Sequence, residues 1–288
     1  MKCVDREGNY IRQNEAQDRI LKLLYQSIPG RMVLKQLVRP WISKLTGAVL
    51  SSPCSRVLIA PFVKKNQINM AEYEDRSFLS YNDFFTRRLK EGQRRIDPQP
   101  GHLIAPCDGK LSVYPIRKDA CFTIKNTEYT LHSLLKSKRL ADHYEGGTLL
   151  LFRLTVDDYH RYCYIDNGKK TRNYKIKGVF HTVNPIANLL LPVYKENTRE
   201  FTLIETENFG RVLVMEVGAM LVGKIVNYHG AAPVRRGEEK GRFEFGGSSI
   251  LILLEQGRAV IDEDIRFHSA NGAETTVKLG ERIGVVGR

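Results

Sequence analysis

The chain has 288 residues and few features of a secreted, metal-binding or membrane-spanning protein. Its five cysteines, Cys3, Cys54, Cys107, Cys121 and Cys163, are odd in number, scattered and never in a CxxC pair. That argues against a disulfide framework and a zinc ribbon, and points to a reducing, cytoplasmic setting. No stretch approaches the ~18 uninterrupted apolar residues of a transmembrane helix. The first residues, MKCVDREGNYIRQNEAQDR, carry Asp5, Glu7 and Glu15 and lack an apolar run, so neither a secretory signal nor an acid-poor transit peptide is expected. No zinc-helix motif and no EF-hand loop occur. His160 and Cys163, three apart, lack a second pair of ligands, so no metal is expected. Aromatics do not cluster with basic residues as an RNA-binding sheet requires, and nucleic acid is not expected as a partner. The stretch 218-GAMLVGKI-225 nearly spells a phosphate-binding loop, but Ile225 stands where the magnesium-ligating hydroxyl belongs and strands flank it on both sides.

Acidic residues are also scarce. Thirty-two Asp and Glu face 45 Lys and Arg, a net charge of +13. A basic surface attracts anionic lipid, nucleic acid or a phosphorylated substrate, unless it is simply solvated. Residues 14–50 hold a regular apolar series, including Ile20, Leu24, Ile28, Leu34, Leu37, Trp41 and Leu45, broken at Pro29-Gly30 and Pro40. Arg19, Lys22, Arg31, Lys35, Arg39 and Lys44 are interleaved with it. Such helices either pack on a domain or lie on an anionic membrane surface, and the cationic bias exceeds what core packing needs. Residues 80–90 predict a short helix capped by Ser80 with Asp83, burying Phe84, Phe85 and Leu89. Residues 97–101 read as a linker.

From about residue 103 short strand-like runs alternate with turns, interrupted by expected helices at 131–140 and near 185–191. The fold class expected is therefore α+β: a mostly antiparallel β domain at 80–288 behind a helical, amphipathic, membrane-associating region at 1–79.

Three polar insertions interrupt apolar runs: Asp108 in IAPCDGK, His160 in DDYHRYCYIDNG, and Gly246-Gly247-Ser248-Ser249 between two apolar strands. Each has an ordinary reading, respectively a turn, a hydrogen-bonded structural histidine and a bulge. Together they can activate a hydroxyl, with His removing its proton and Asp orienting the His. The G-x-S-x-G elbow of an α/β-hydrolase is missing. Gly247 leaves its own carbonyl unshielded, so Ser248 can attack it. An N-to-O acyl shift, elimination, hydration and loss of ammonia would cut the chain into 1–247 and 248–288 and convert Ser248 into a pyruvoyl group.

In these segments, in their order and spacing, the sequence resembles the phosphatidylserine decarboxylases. The resemblance runs through YNDFFTRRLKEGQRRID, IAPCDGKL, DDYHRYCYIDNG, HTVNPIA, VGAMLVGKI and GRFEFGGSSI. It implies self-cleavage at Ser248, with the pyruvoyl group derived from that residue as the covalent cofactor. It matches Asp108 to a charge-relay aspartate and His160 to the first histidine of a Tyr-His-Arg-x-His pattern. The second histidine is here Cys163, which leaves three candidates for the self-cleavage base: His160, His181 in HTVNP, and Cys163. The division of labour expected is His181 for maturation and His160 for protonating the substrate carbon. Phosphatidylserine in an anionic membrane is the implied partner, met at the cytoplasmic face by a peripheral protein, and a homodimer is allowed for. The alternatives are a non-catalytic basic protein binding membrane or nucleic acid, and a pyruvoyl decarboxylase of a soluble amino acid.

Overall fold

A computed structural model describes residues 2–11, 23–124, 127–183, 193–219, 224–244 and 248–287. Its centre is a ten-stranded sheet. The middle of the sheet is an antiparallel ladder in which Ser248–Leu254 lies between Thr148–Leu154 and Arg211–Val217. Gly109–Pro115 flanks the ladder on one side and Arg199–Thr206 on the other. The expected α+β class is observed, with mostly antiparallel pairing. One exception is Lys2–Val4, which pairs parallel with Ala273–Val277 and places a strand inside the region expected to be helical.

The run SSILILL does not alternate in polarity because both faces of its strand are covered. Leu251 and Leu253 enter one core with Leu149, Leu151 and Met215. Ile250, Ile252 and Leu254 enter a second core with Leu150, Phe152 and Phe243. Every residue of Ser248–Leu254 is buried. At roughly 1.5–3 kcal/mol per fully buried Leu or Ile, this strand is among the largest contributors to stability. It also forms the spine on which the serine is carried.

The N-terminal helices are Ile28–Leu37, Pro40–Leu50 and Ile59–Asn66, with the short Tyr81–Phe85 behind them. The break expected at Pro29-Gly30 falls instead at Ser27. That residue caps the helix by accepting from the Gly30 N–H, with Pro29 inside the first turn, where its missing N–H has no helical partner to lose. Pro40 does divide two helices, as expected. Ser80 caps Tyr81–Phe85 by accepting from the Asp83 N–H, and Phe84 and Phe85 are buried. Leu89 lies beyond that helix and bridges to Tyr73. The helix expected at 131–140 is two helices, Leu131–Leu135 and Lys138–His143, parted where Lys136 turns left-handed at φ 53°. The helix expected near 185–191 lies outside the described residues, as do residues 220–223 within 218–225.

No single described helix is long and apolar enough to cross a membrane. Trp41–Leu50 and Pro53–Asn66 reach that length and composition only as a pair, and they are bent by 81°.

Candidate active site

The site lies at one end of the central ladder. Ser248 opens its strand opposite Leu154, the last residue of Thr148–Leu154. The chain leaving Leu154 turns through Thr155–Tyr159 and delivers His160, whose carbonyl accepts from the Phe243 N–H at 2.9 Å. Phe243 belongs to the strand Glu239–Glu244, which leads directly towards Ser248. The loop carrying His160 and the segment carrying Ser248 thus meet at the same edge. Gly246 and Gly247 lie outside the described residues. Alternation along the strand puts Ser248 on the face of Ile250 and Ile252 and Ser249 on the opposite face.

Ser248 and His160 are both sealed from solvent, at 0% and 1% exposure. The Ser248 Oγ, the Ser249 Oγ and the His160 Nε2 have no hydrogen-bond partner among the described residues. Buried polar atoms are usually satisfied, and leaving one unmade costs about 1–3 kcal/mol. Three such atoms, two on consecutive serines and one on a histidine whose carbonyl binds the strand leading towards them, mark a site that holds strain or does chemistry. They fit a pyruvoyl group made from Ser248, since the hydroxyl is free to react and the imidazole nitrogen is free to take its proton.

The state of His160 follows from its surroundings. Its Nδ1 lies 2.9 Å from the Asp158 carbonyl oxygen. A carbonyl only accepts, so the neutral ring carries its proton on Nδ1 and presents a bare lone pair at Nε2. Burial pushes the imidazole down to about 4; Arg87 and Lys110 add to the effect and the Asp158 carboxylate opposes it. The ring packs 4.1 Å, centroid to centroid, from Phe85. At neutral pH the group is an unprotonated acceptor.

Asp158 itself is anchored. Its carboxylate takes the Lys110 Nζ at 2.6 Å and 2.8 Å, and the Thr155 N–H and hydroxyl at 2.6 Å and 2.8 Å. Burial works against the Asp158 charge, but Lys110 and Thr155 outweigh it and hold the carboxyl at about 2. The orientation of His160 is therefore set through the main chain of Asp158, with Lys110 as the support behind it. Sequence reading singled out neither residue. Asp158 was legible within DDYH, but Lys110 is 48 residues distant and the pair exists only in the fold.

Asp108 lies on the approach to Gly109–Pro115, buried, and accepts from the Arg94 guanidinium at 2.6 Å and from the Leu279 N–H at 2.8 Å. Its described partners are these groups and Lys278; the described partner of the His160 Nδ1 is Asp158. His181 reaches this end of the ladder from the Ser249 side: the Asn197 amide that binds its carbonyl also donates to the Gly218 carbonyl at 2.8 Å, next to Val217, the strand partner of Ser249. The His181 Nδ1 is 3.3 Å from the Tyr25 hydroxyl and its Nε2 is 3.5 Å from Glu196. Its main chain is clasped by the Asn197 amide, which accepts from the His181 N–H and donates to the His181 carbonyl. Tyr25 and Val183 belong to the core on the Ser249 face, whereas Phe243 and Tyr162, beside His160, belong to the core on the Ser248 face. Burial lowers the His181 pKa, opposed by Glu196. Cys163 shares the Ser248-side core, but burial pushes its thiol up to about 12, which leaves almost no thiolate at neutral pH.

A cavity of about 630 Å³ opens beside this end of the ladder. Helix Pro40–Leu50, with Ser43 and Gly47, and Ser51 just past its end form one wall, and Glu244, the last described residue before the glycines, forms another. A side-chain atom added at Gly47 would meet nothing within 4 Å, so this glycine faces open space. Four lysines line the cavity. Lys175 pairs with Glu200 and Lys224 with Glu244, while Lys44 and Lys177 have no carboxylate within ion-pair distance among the described residues. Among those residues no group of three or more His, Cys, Asp or Glu side chains is arranged to hold a metal ion.

The fold and the site together define an α+β enzyme with a buried serine–histidine site at the end of a fully enclosed strand. The profile of the family described as phosphatidylserine decarboxylase matches residues 81–285. Phosphatidylserine decarboxylase proenzyme 2 of Clostridium acetobutylicum is 46% identical over 265 residues, covering 92% of this chain and 91% of that protein. The phosphatidylserine decarboxylase proenzyme of Ruminiclostridium cellulolyticum is 41% identical, covering 92% of this chain and 91% of that protein. One from Desulfitobacterium hafniense is 38% identical, covering 99% and 98%. The chain belongs to the phosphatidylserine decarboxylase family.

Proposed function

We propose that the chain is made as a precursor, cuts itself between Gly247 and Ser248, and then decarboxylates phosphatidylserine to phosphatidylethanolamine at the surface of an anionic membrane. The observation that carries this reading is that the buried Ser248 hydroxyl and the buried His160 Nε2 are both left without a hydrogen-bond partner among the described residues, on segments linked through the Phe243 N–H and the His160 carbonyl.

His160 accepts the Ser248 proton at Nε2, and Oγ attacks the Gly247 carbonyl carbon. The amide nitrogen of Ser248 leaves and takes a proton, giving an ester. Removal of the Ser248 α-proton expels the Gly247 carboxylate and leaves a dehydroalanine, and water then displaces ammonia. The pyruvoyl group so formed supplies an electron sink for the carbanion left when CO₂ departs. The bare Nε2 of His160 favours it over His181, whose ring nitrogens face Tyr25 and Glu196, as the base, and in its protonated form His160 returns a proton to the substrate carbon. Removing a general base typically slows its step ~10²–10⁴-fold.

The cavity supports a phospholipid headgroup as substrate. Lys44 and Lys177 offer two uncommitted ammonium groups to a phosphate and a carboxylate. The helix that forms its wall turns its other side outward, with Trp41, Leu45 and Val49, four residues apart, 54%, 57% and 58% exposed. Large apolar side chains so spaced on a cationic segment support an interfacial helix, lying on the cytoplasmic leaflet of a membrane with the headgroup pocket directly beneath.

The test is a gel and a vesicle assay on the purified chain. The reading expects a small fragment, residues 248–288, and CO₂ release from phosphatidylserine vesicles. An intact chain that binds vesicles would favour a basic binding protein, and release of CO₂ from free serine at the vesicle rate would favour a soluble substrate.

A further inference from the structure

Arg87 is 1% exposed, and no carboxylate lies within ion-pair distance of it among the described residues. A buried charge without a counter-charge is expensive and is seldom kept without a use. Its guanidinium carbon lies over the rings of Tyr73, at 4.2 Å, and Phe84, at 4.8 Å. Its Nη2 donates to the Asp157 carbonyl at 3.3 Å and to the Tyr73 hydroxyl at 3.2 Å, while its Nε has no partner among the described residues. A second arginine reaches back the other way: Arg161 donates from Nε and Nη2 to the Thr86 carbonyl, at 3.0 Å and 2.8 Å. Segment 85–87 and segment 157–161 are thus joined by two arginines running in opposite directions, and His160 sits between the joints with its ring on Phe85.

We infer that Arg87 is a positioning residue for His160. With Arg161 it clasps the loop that carries the histidine, and its unneutralised charge adds to burial in keeping the imidazole in the unprotonated form that self-cleavage requires. The charged groups acting on the ring are the Asp158 carboxylate, which favours protonation, and Arg87 and Lys110, which oppose it. Because Lys110 is already paired with Asp158, Arg87 is, among the described residues, the cation on this ring with no carboxylate of its own. The inference rests on His160 acting as the base.

The experiment measures His160 directly and cleavage separately. In uncleavable Ser248→Ala precursor, the imidazole is titrated by NMR, its signal assigned by loss in His160→Gln, with Arg87 intact, Arg87→Lys and Arg87→Met. In the cleavable chain the same Arg87 variants are followed by gel from pH 4.5 to 8. Arg87→Met should raise the His160 titration point and slow cleavage by about 2-fold or more at pH 5 relative to pH 8, as fits a shift of one unit or more. Arg87→Lys, which keeps the charge but loses the fork, should titrate as the parent does and cleave several-fold more slowly at every pH. An unmoved His160 titration in Arg87→Met, with cleavage slowed equally at all pH, would make Arg87 a packing residue and overturn the inference. If Arg87→Met does not fold, Arg87→Lys decides alone: parental cleavage rates in it are the contradicting result. Normal cleavage in His160→Gln would instead overturn the assignment of the base, whatever the titration shows.

Discussion

The strand Ser248–Leu254 and the helix Pro40–Leu50 use apolar residues in opposite ways. The strand turns all of its aliphatic side chains inward, into two cores, and exposes none. The helix buries Leu50 and leaves Trp41, Leu45 and Val49 in contact with water. Ile28, Met32 and Val33 on the preceding helix, and Val57 and Leu58 beyond, are exposed as well. Scattered exposed apolar residues need no explanation, but a run of them along one connected segment marks a surface meant for something outside the molecule. In the function proposed above, one region holds the bond to be cut and the other meets an apolar phase, and the cavity lies between the helix and Glu244, on the approach to the strand.

The sharpest way to break this contrast is at the serine. Ser248→Ala should abolish self-cleavage entirely, seen as a single full-length band, while Ser249→Ala, on the opposite face, should still cut. Next come the two histidines. His160→Ala should slow cleavage by ~10²–10⁴-fold, whereas His181→Ala, held by Tyr25 and Glu196, should cut within a few-fold of the parent on time-course gels. The reverse ranking would return the base role to His181.

A third test uses pH. The His160 pKa is depressed in the fold to about 4, so the folded chain resists protonation that the unfolded chain accepts. The stability due to keeping this ring neutral is complete above the unfolded value near 6.5 and is lost as pH falls from there to about 4. For a group this buried the loss is about 3 kcal/mol. Denaturant melts of the Ser248→Ala precursor should show it, and His160→Gln should remove that part of the slope.

The membrane side of the comparison sharpens with Trp41→Ser, Leu45→Ser and Val49→Ser combined. At roughly 1.5–3 kcal/mol for each large apolar side chain, binding to anionic vesicles should fall by about 100-fold or more. Cleavage should be unaffected, since these side chains face away from the ladder. The smallest effect is expected at the cavity. Lys44→Ala with Lys177→Ala should raise KM for phosphatidylserine about 10-fold with little change in kcat, consistent with ~1 kcal/mol or less from each exposed ammonium.

Much of this was legible in the residues. GGSS between two apolar runs located the serine, because glycines and hydroxyls inside a strand conflict with ordinary packing. His160 was legible as a histidine just past an apolar run. The capped helix at Ser80 and the predominance of short strands were also legible, since both follow from local pattern. What sequence reading missed depends on distance in the fold. Arg87 meets Asp157 across 70 residues and Lys110 meets Asp158 across 48, and no local period encodes either pair. Arg94, on Asp108, was hidden for the same reason. The break at Ser27, by contrast, is readable: a serine two residues before a proline is a helix start, and a proline in the first turn breaks nothing.

The central claim is that Ser248 becomes the N-terminal pyruvoyl group of a small chain. Intact-mass spectrometry of the purified protein under denaturing conditions tests it most directly. The account predicts a fragment with the mass of residues 248–288 less one ammonia, the signature of a serine converted to pyruvoyl, alongside a large fragment ending in a free carboxylate at Gly247. A small fragment retaining an N-terminal serine, or a chain that stays whole, would contradict it.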